Sequence, residues 1–462
     1  MSKILSVLTR SVVIITLCLS VTLTNQAQIH AERPMEIGYI STLQNEGTSF
    51  LLEPIALNGQ NIELQTSVAN SIQISLSDSS RNPISEIVSF GISPDLKRFH
   101  AISVNETGEF NLEVTPITDS TLSTVRLHMG TSTTSGYVAH WEDTGNLLFL
   151  YPYQTTQSTL LYNPQNGALL PITEGYVSPI RTLLPNQQFI FMGSSVCGAP
   201  CNASSDIYLG RYDSDSIIVN PITNLSAVLL GVQNRLMSSS LGISHATFNP
   251  NDERIYMGVK ESPSEPGRMA LFYSVDFAGN FRQEFDFLQV LPRSDFPPVI
   301  KAVFSSILDS ENIYLLLETD EIEGQYSWTL ARYSHQEGFH TIFEDRTSDT
   351  TLQTIRTQKV SPNGQYLAIG SQNQTQDMGK VIVVDILSGQ PIVVQNTSRS
   401  VCDIYWTPDN LSVIYTHATN SKCVNAFLEN QPVNTLIALK LADGSNTMIK
   451  QDLVTPFYIL MR

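Results

Sequence analysis

The chain is short of charge. Only 15 % of its 462 residues are Asp, Glu, Lys or Arg, and cations are the scarcer sign, 26 against 43. The formal net charge of −17 gives a surface that repels phosphate backbones, which argues against a nucleic-acid partner. Long apolar runs are also missing. Past the first thirty residues no stretch approaches the ~20 apolar residues that a membrane-spanning helix needs. Motifs of common enzymes are absent as well. There is no GxSxG, so no nucleophile elbow is indicated, and no HExxH, so no zincin site. No GxGxxG or P-loop marks a nucleotide cofactor, and no cofactor is expected. Acidic clusters at YDSDS (212–216) and TDEIEG (319–324) lack the spacing of a calcium loop and read as turns, so no metal is expected either.

What the chain does have begins at its N-terminus, MSKILSVLTRSVVIITLCLSVTLTNQAQIHAE. Lys3 and Arg10 precede an apolar stretch, Ser11 to Thr24, of the length of a signal peptide core. Cleavage after Ala27 or Ala31 is expected, which assigns 1–31 to a signal peptide and leaves no membrane span; an uncleaved anchor is the alternative. Cys18 follows Leu17 where a lipid attachment site needs a small residue, so it belongs to the apolar core. Four cysteines remain: Cys197, Cys201, Cys402 and Cys423. An even number in an exported chain points to disulfides. Of the three possible pairings, Cys197–Cys201 with Cys402–Cys423 keeps each bridge within one repeat unit. CGAPC lacks the second close Cys/His pair of a zinc site. Asn105, Asn202, Asn224, Asn373, Asn396 and Asn410 stand in N-x-S/T sequons, glycan sites in a eukaryotic host and chance matches in a bacterial one.

The organising signal is a repeat. KVSPNGQYLAIGSQNQTQDMGKVIVVDILSGQ (359–390) contains a turn, a short strand, a polar gap, an almost wholly apolar strand and another turn. YWTPDNLSVIYTHA with TLIALKLADGSNTMI repeats it at 405–449, and FGISPDLKRFHAISV with FNLEVTPI at 90–117. Weaker copies begin at HWEDTGNLLFLYP (140–152), IRTLLPNQQFIFMGS (180–194), HATFNPNDERIYMGV (245–259) and VFSSILDSENIYLLLE (303–318). Pro, Asp, Asn and Gly make the tight turns. A strand such as KVIVVDIL, with near-continuous apolar residues, needs cover on both faces, which one sheet cannot give itself and a ring of sheets can.

These residues resemble the repeat of TolB-like and WD40-like β-propellers. SPNGQYLAIGS with VIVVDILSGQ carries the likeness best, and TPDNLSVIYTH and SPDLKRFHAIS support it; the Trp-Asp dipeptide of strict WD40 repeats is absent. The resemblance implies an all-β fold of four-stranded blades, eight by our count or seven if one weak unit is misread. A single propeller domain is expected over 36–462. The segment 37–67 lacks a first strand, and PFYILMR (456–462) reads as a lone strand that would complete the same sheet and close the ring.

The first strand of each blade lines the channel of such a ring. Near the starts of these strands lie Arg181, His245, Lys301, Arg356 and Asp403, with His140 and Lys359 deeper. They form an expected binding rim, suited to an anionic group such as a carboxylate. No catalytic residues are assigned. The expectation is a secreted or periplasmic monomer that binds a protein or cell-envelope component without catalysis. The alternative is a carbohydrate hydrolase or lyase acting at the channel mouth, since propeller glycosidases draw their two carboxylates from distant blades.

Overall fold

The computed structural model describes residues 35–44, 49–58, 61–65, 71–75, 84–117, 124–131, 137–142, 145–152, 158–174, 177–183, 188–193, 206–213, 216–223, 241–261, 270–286, 299–320, 326–347, 353–373, 378–418, 433–454 and 457–461. All regular structure among them is β. The strands form eight antiparallel sheets, arranged as the eight blades of a β-propeller. In blades 2 to 8 the chain runs from the channel outward, strand by strand. The innermost strands are Ile84–Ile92, Tyr137–Trp141, Val177–Leu183, Leu241–Asn249, Val299–Ser306, Gln353–Val360 and Val401–Trp406.

Blade 1 is assembled from both ends of the chain. Its innermost strand is Phe457–Met461, which pairs with Met35–Gln44 from Gly38↔Met461 to Thr42↔Phe457. Ser49–Asn58 and Asn61–Leu64 complete the blade. This is the closure expected from the missing first strand of 37–67. A short fifth strand, Ile72–Ser75, also pairs with Ser49–Asn58; the repeat pattern gave no sign of it.

The core is divided among the blade interfaces. Eight apolar clusters are found, one between each pair of neighbouring blades. Gly379–Asp385 shows why the centre of KVIVVDIL, residues 381–384, is continuously apolar. Ile382 and Val384 pack toward blade 6, whereas Val381 and Val383 pack toward blade 8. A strand alternates its side chains between faces, and here both faces are interior. Outermost strands face solvent and are mixed in character, as in Ser216–Pro221 and Pro391–Thr397.

Three of the turns between first and second strands, in blades 2, 7 and 8, share one chemistry. Ser93 Oγ donates to Asp95 Oδ1 (2.6 Å) and accepts from Arg98 N (2.9 Å). Ser361 Oγ does the same with Asn363 (2.7 Å) and Tyr366 N (2.9 Å), and Thr407 Oγ1 with Asp409 (2.7 Å) and Ser412 N (3.0 Å). The fourth residue of each turn, Leu96, Gly364 or Asn410, has φ of 58°, 74° or 61°. The Asp or Asn of these motifs is therefore a turn residue that ties down local backbone. These turns lie on one face of the ring. Connections into each inner strand, and those between second and third strands, lie on the other.

Candidate site at the channel mouth

The inner strands carry a recurrent irregularity. In six blades the register against the second strand slips by one residue, leaving Val88, Ile180, Ser244, Lys301, Arg356 and Cys402 as the extra residues. Each bulge stands at the same distance before the turn: Val88 before Ser93, Lys301 before Ser306, Arg356 before Ser361 and Cys402 before Thr407. A bulge leaves one residue outside the ladder and twists the strand locally, which re-aims side chains. All five residues expected at the rim stand at this level of their strands. Lys301 and Arg356 are the bulged residues, and Arg181, His245 and Asp403 directly follow theirs. His140 and Lys359 lie nearer the turn on their strands, as expected.

The rim is not uniform. Lys301 Nζ lies 2.5 Å from Glu318 Oε2, on the second strand of its own blade. Glu318 is buried, and its other oxygen accepts from Ile355 N of blade 7 (3.3 Å). The charge of Lys301 is thus cancelled locally, and Glu318 ties blade 6 to blade 7. Blades 7 and 8 differ. Arg356, Lys359 and Asp403 all reach solvent. Yet burial lowers the Lys359 ammonium, partly offset by Asp403, and raises the Asp403 carboxyl, partly offset by Lys359 and Arg356. Open to solvent but walled by protein, the three charges occupy a low-dielectric lumen where they interact more strongly than in bulk water. Lys359 Nζ also sits 4.9 Å from the centroid of the Tyr405 ring, a cation–π contact. Burial, with Asp403 and Tyr458 nearby, pushes the Tyr405 hydroxyl well above its usual range. Tyr458 belongs to the closing strand of blade 1, so the cluster extends across three blades.

Beyond Tyr458 the lining becomes apolar and tight. At Gly91 of blade 2 an added Cβ would come within 2.9 Å of the His100 ring and 3.2 Å of the Tyr458 ring. His100 is 1 % exposed, stands edge-on to Trp141 (5.8 Å), and among the described residues has no hydrogen-bond partner on either ring nitrogen. Burial, with repulsion from His140, lowers its pKa to about 3, so it is neutral.

Two features escaped the sequence reading. Glu318 gave no signal, because nothing local marks it as the partner of Lys301. Tyr405 and Tyr458 carry no local mark of a channel position and become neighbours only when the ring closes. Cys197, Cys201 and Cys423 lie outside the described residues, as does the segment 1–34. Cys402 is half-buried at the blade 8 bulge. For Arg181 only the backbone is described.

No family model matches the chain, and no curated protein matches its sequence. Among solved structures it is similar to dihydro-heme d1 dehydrogenase NirN in complex with DHE, at 8 % identity over 93 % of this chain and 76 % of that one, with a TM-score of 0.51. It is also similar to a eukaryotic initiation factor (9 % identity, 92 % and 98 % covered, TM-score 0.49) and to hydrazine synthase of Kuenenia stuttgartiensis (9 %, 82 % and 99 %, 0.43). The first supports the propeller fold and, at this identity, nothing finer. The other two are likenesses that carry no argument.

Proposed function

We propose that this protein is a non-catalytic, extracytoplasmic propeller that holds a protein or cell-envelope component at the mouth of its channel. One observation carries the reading: Arg356 and Lys359 stand in the lumen between blades 7 and 8 with Asp403 as their only carboxylate among the inner-strand residues there. Among the described inner-strand residues of blades 7 and 8, two cations accompany this one carboxylate. That suits a carboxylate of the partner, an acidic side chain or a chain terminus, with Arg356 as the planar donor and Lys359 as the point charge. Export rests on the N-terminal segment and the paired cysteines, for which Cys402–Cys423 is the bridge proposed at this site.

The test is capture by the mature protein, immobilised as a monomer with its disulfides intact, from detergent extracts of its own envelope. The double variant Arg356→Ala/Lys359→Ala serves as the comparison. A stoichiometric partner retained by the parent and lost at least tenfold by the variant is the expected result. Retention that ignores both substitutions overturns the assignment. Glycan shortened during incubation, with turnover abolished by Asp403→Asn, would replace it with a carbohydrate-active enzyme.

A further inference from the structure

Four lysine amines of the ring are held by carboxylates. Lys97 pairs with Asp95 (3.6 Å), Lys301 with Glu318 (2.5 Å) and Lys380 with Asp345 (2.9 Å), and Lys450 pairs with Glu53. Lys359 is different. Among the described residues it makes no ion pair, and its Nζ faces the Tyr405 ring instead, 4.9 Å from the centroid. An ammonium that meets a ring in place of a carboxylate holds its charge less firmly. The surrounding protein acts in the same direction, since burial lowers the Lys359 ammonium and Asp403 offsets only part of this. The side chain is nevertheless open to the lumen. A reachable amine that gives up its proton more readily than usual is a nucleophile.

Two groups of different chemistry stand near it. Arg356 is the bulged residue of the same strand, and Asp403 follows the bulge on the inner strand of blade 8. Arg356 and Lys359 both act on the Asp403 carboxyl, so a guanidinium, an amine and a carboxyl converge on one part of the lumen. The guanidinium cannot lose its proton and is a planar donor for a carboxylate. Burial raises the Asp403 carboxyl, which therefore keeps a proton to higher pH than an exposed one and can donate it.

We propose that Lys359 condenses reversibly with the carbonyl carbon of a small 2-oxo acid whose carboxylate is held by Arg356. This names a ligand class for the channel mouth and rests on the carboxylate-binding reading above. The neutral amine forms the new C–N bond, and its proton passes to the carbonyl oxygen. The carbinolamine hydroxyl then takes a proton from Asp403 and leaves as water, which breaks the C–O bond. The product is an iminium ion, whose charge faces the Tyr405 ring and the Asp403 carboxylate as the ammonium did. No oxidant or reductant is consumed, and the step is covalent binding without turnover.

The probe is glyoxylate, added to the mature protein with cyanoborohydride, which reduces an iminium to a stable secondary amine. Peptide mass spectrometry locates the modified lysines. Lys97, with a side chain 62 % exposed on the turn face, is the internal reference. Labelling of Lys359 at least tenfold faster than that of Lys97 is expected. Propanal, an aldehyde without a carboxylate, isolates the role of Arg356. In Arg356→Ala, with a melting curve matching the parent, glyoxylate labelling of Lys359 should slow at least tenfold and propanal labelling less than twofold. Labelling of Lys359 no faster than that of Lys97, or slowed equally for both aldehydes by Arg356→Ala, overturns the inference. Partner capture that depends on Arg356 and Lys359, without selective labelling, also overturns it and leaves the carboxylate-binding reading in place. Selective labelling without a captured partner sustains it and replaces the macromolecular partner by a small ligand.

Discussion

The two faces of the ring are built by different rules. On the turn face, Ser93, Ser361 and Thr407 each close their hairpin through a carboxylate or amide two residues on. Each turn is specified by a handful of adjacent residues and would be recognisable in any protein. On the mouth face the defining features are the bulges at Lys301, Arg356 and Cys402 and their neighbours. There the meaning of a residue depends on another strand or another blade: Lys301 is neutralised through Glu318 of the neighbouring strand, while Arg356 acts on Asp403 of blade 8. Shape is thus written locally on one face, and recognition chemistry is assembled non-locally on the other.

The largest effect expected is on the element that belongs to neither face alone. Deleting 456–462 removes the inner strand of blade 1 together with Ile459 and Leu460. These pack into the clusters on opposite sides of that blade. The ring then opens at two apolar faces, and cooperative unfolding should be lost. Ile459→Ala alone should cost about 2–4 kcal/mol in a urea melt. A truncated protein that melts like the full chain would refute closure by this strand.

A smaller effect sharpens the difference between channel and core. His100 has a folded-state pKa of about 3, below the unfolded value of 6.5. Protons therefore bind the unfolded chain in preference. The contribution of neutral His100 is complete above pH 6.5 and falls by about 1.4 kcal/mol per pH unit from there toward pH 3. His100→Leu should flatten this part of the acid limb in urea melts between pH 7 and pH 4. An identical slope in both proteins would show that His100 is protonated without penalty.

Smallest of the three is a test of the turn face itself. Gly364 has φ of 74°, and an added Cβ would lie 2.8 Å from Ile307 Cγ1 of blade 6. Gly364→Ala should cost about 1–2 kcal/mol from the left-handed backbone and the crowding. It should leave channel-mouth binding unchanged, since the mouth lies at the other end of the inner strands. A change in that binding would mean that the faces are coupled.

Much of this architecture was legible before any coordinates. SPNG and TPDN announced their turns because Pro, Asp, Asn and Gly bias three or four adjacent dihedrals without outside help. VIVVDIL announced a strand covered on both faces because side chains alternate with period two. The incomplete unit at 37–67 and the lone strand at its far end announced each other, since an unpaired inner edge needs a strand. The level of the five expected rim residues on their strands was legible from their place in the repeat. Their unequal states were not, because no local pattern says that Glu318 reaches Lys301 or that Tyr405 lies under Lys359. Nor could the sequence show the fifth strand of blade 1 or a cavity beside Leu411, between the turns of blades 7 and 8.

The sequence by itself determined most strands and turns, because these depend on periodicity and on residues close together in the chain, and it narrowed the blade count to eight or seven and pointed to closure through an incomplete unit at one end and a lone strand at the other. The tertiary structure decided how the rim charges are compensated, that His100 is buried, and where a cavity opens beside Leu411. Those outcomes depend on electrostatics and packing between blades. Such contacts join residues tens to hundreds of positions apart, where sequence spacing carries no information.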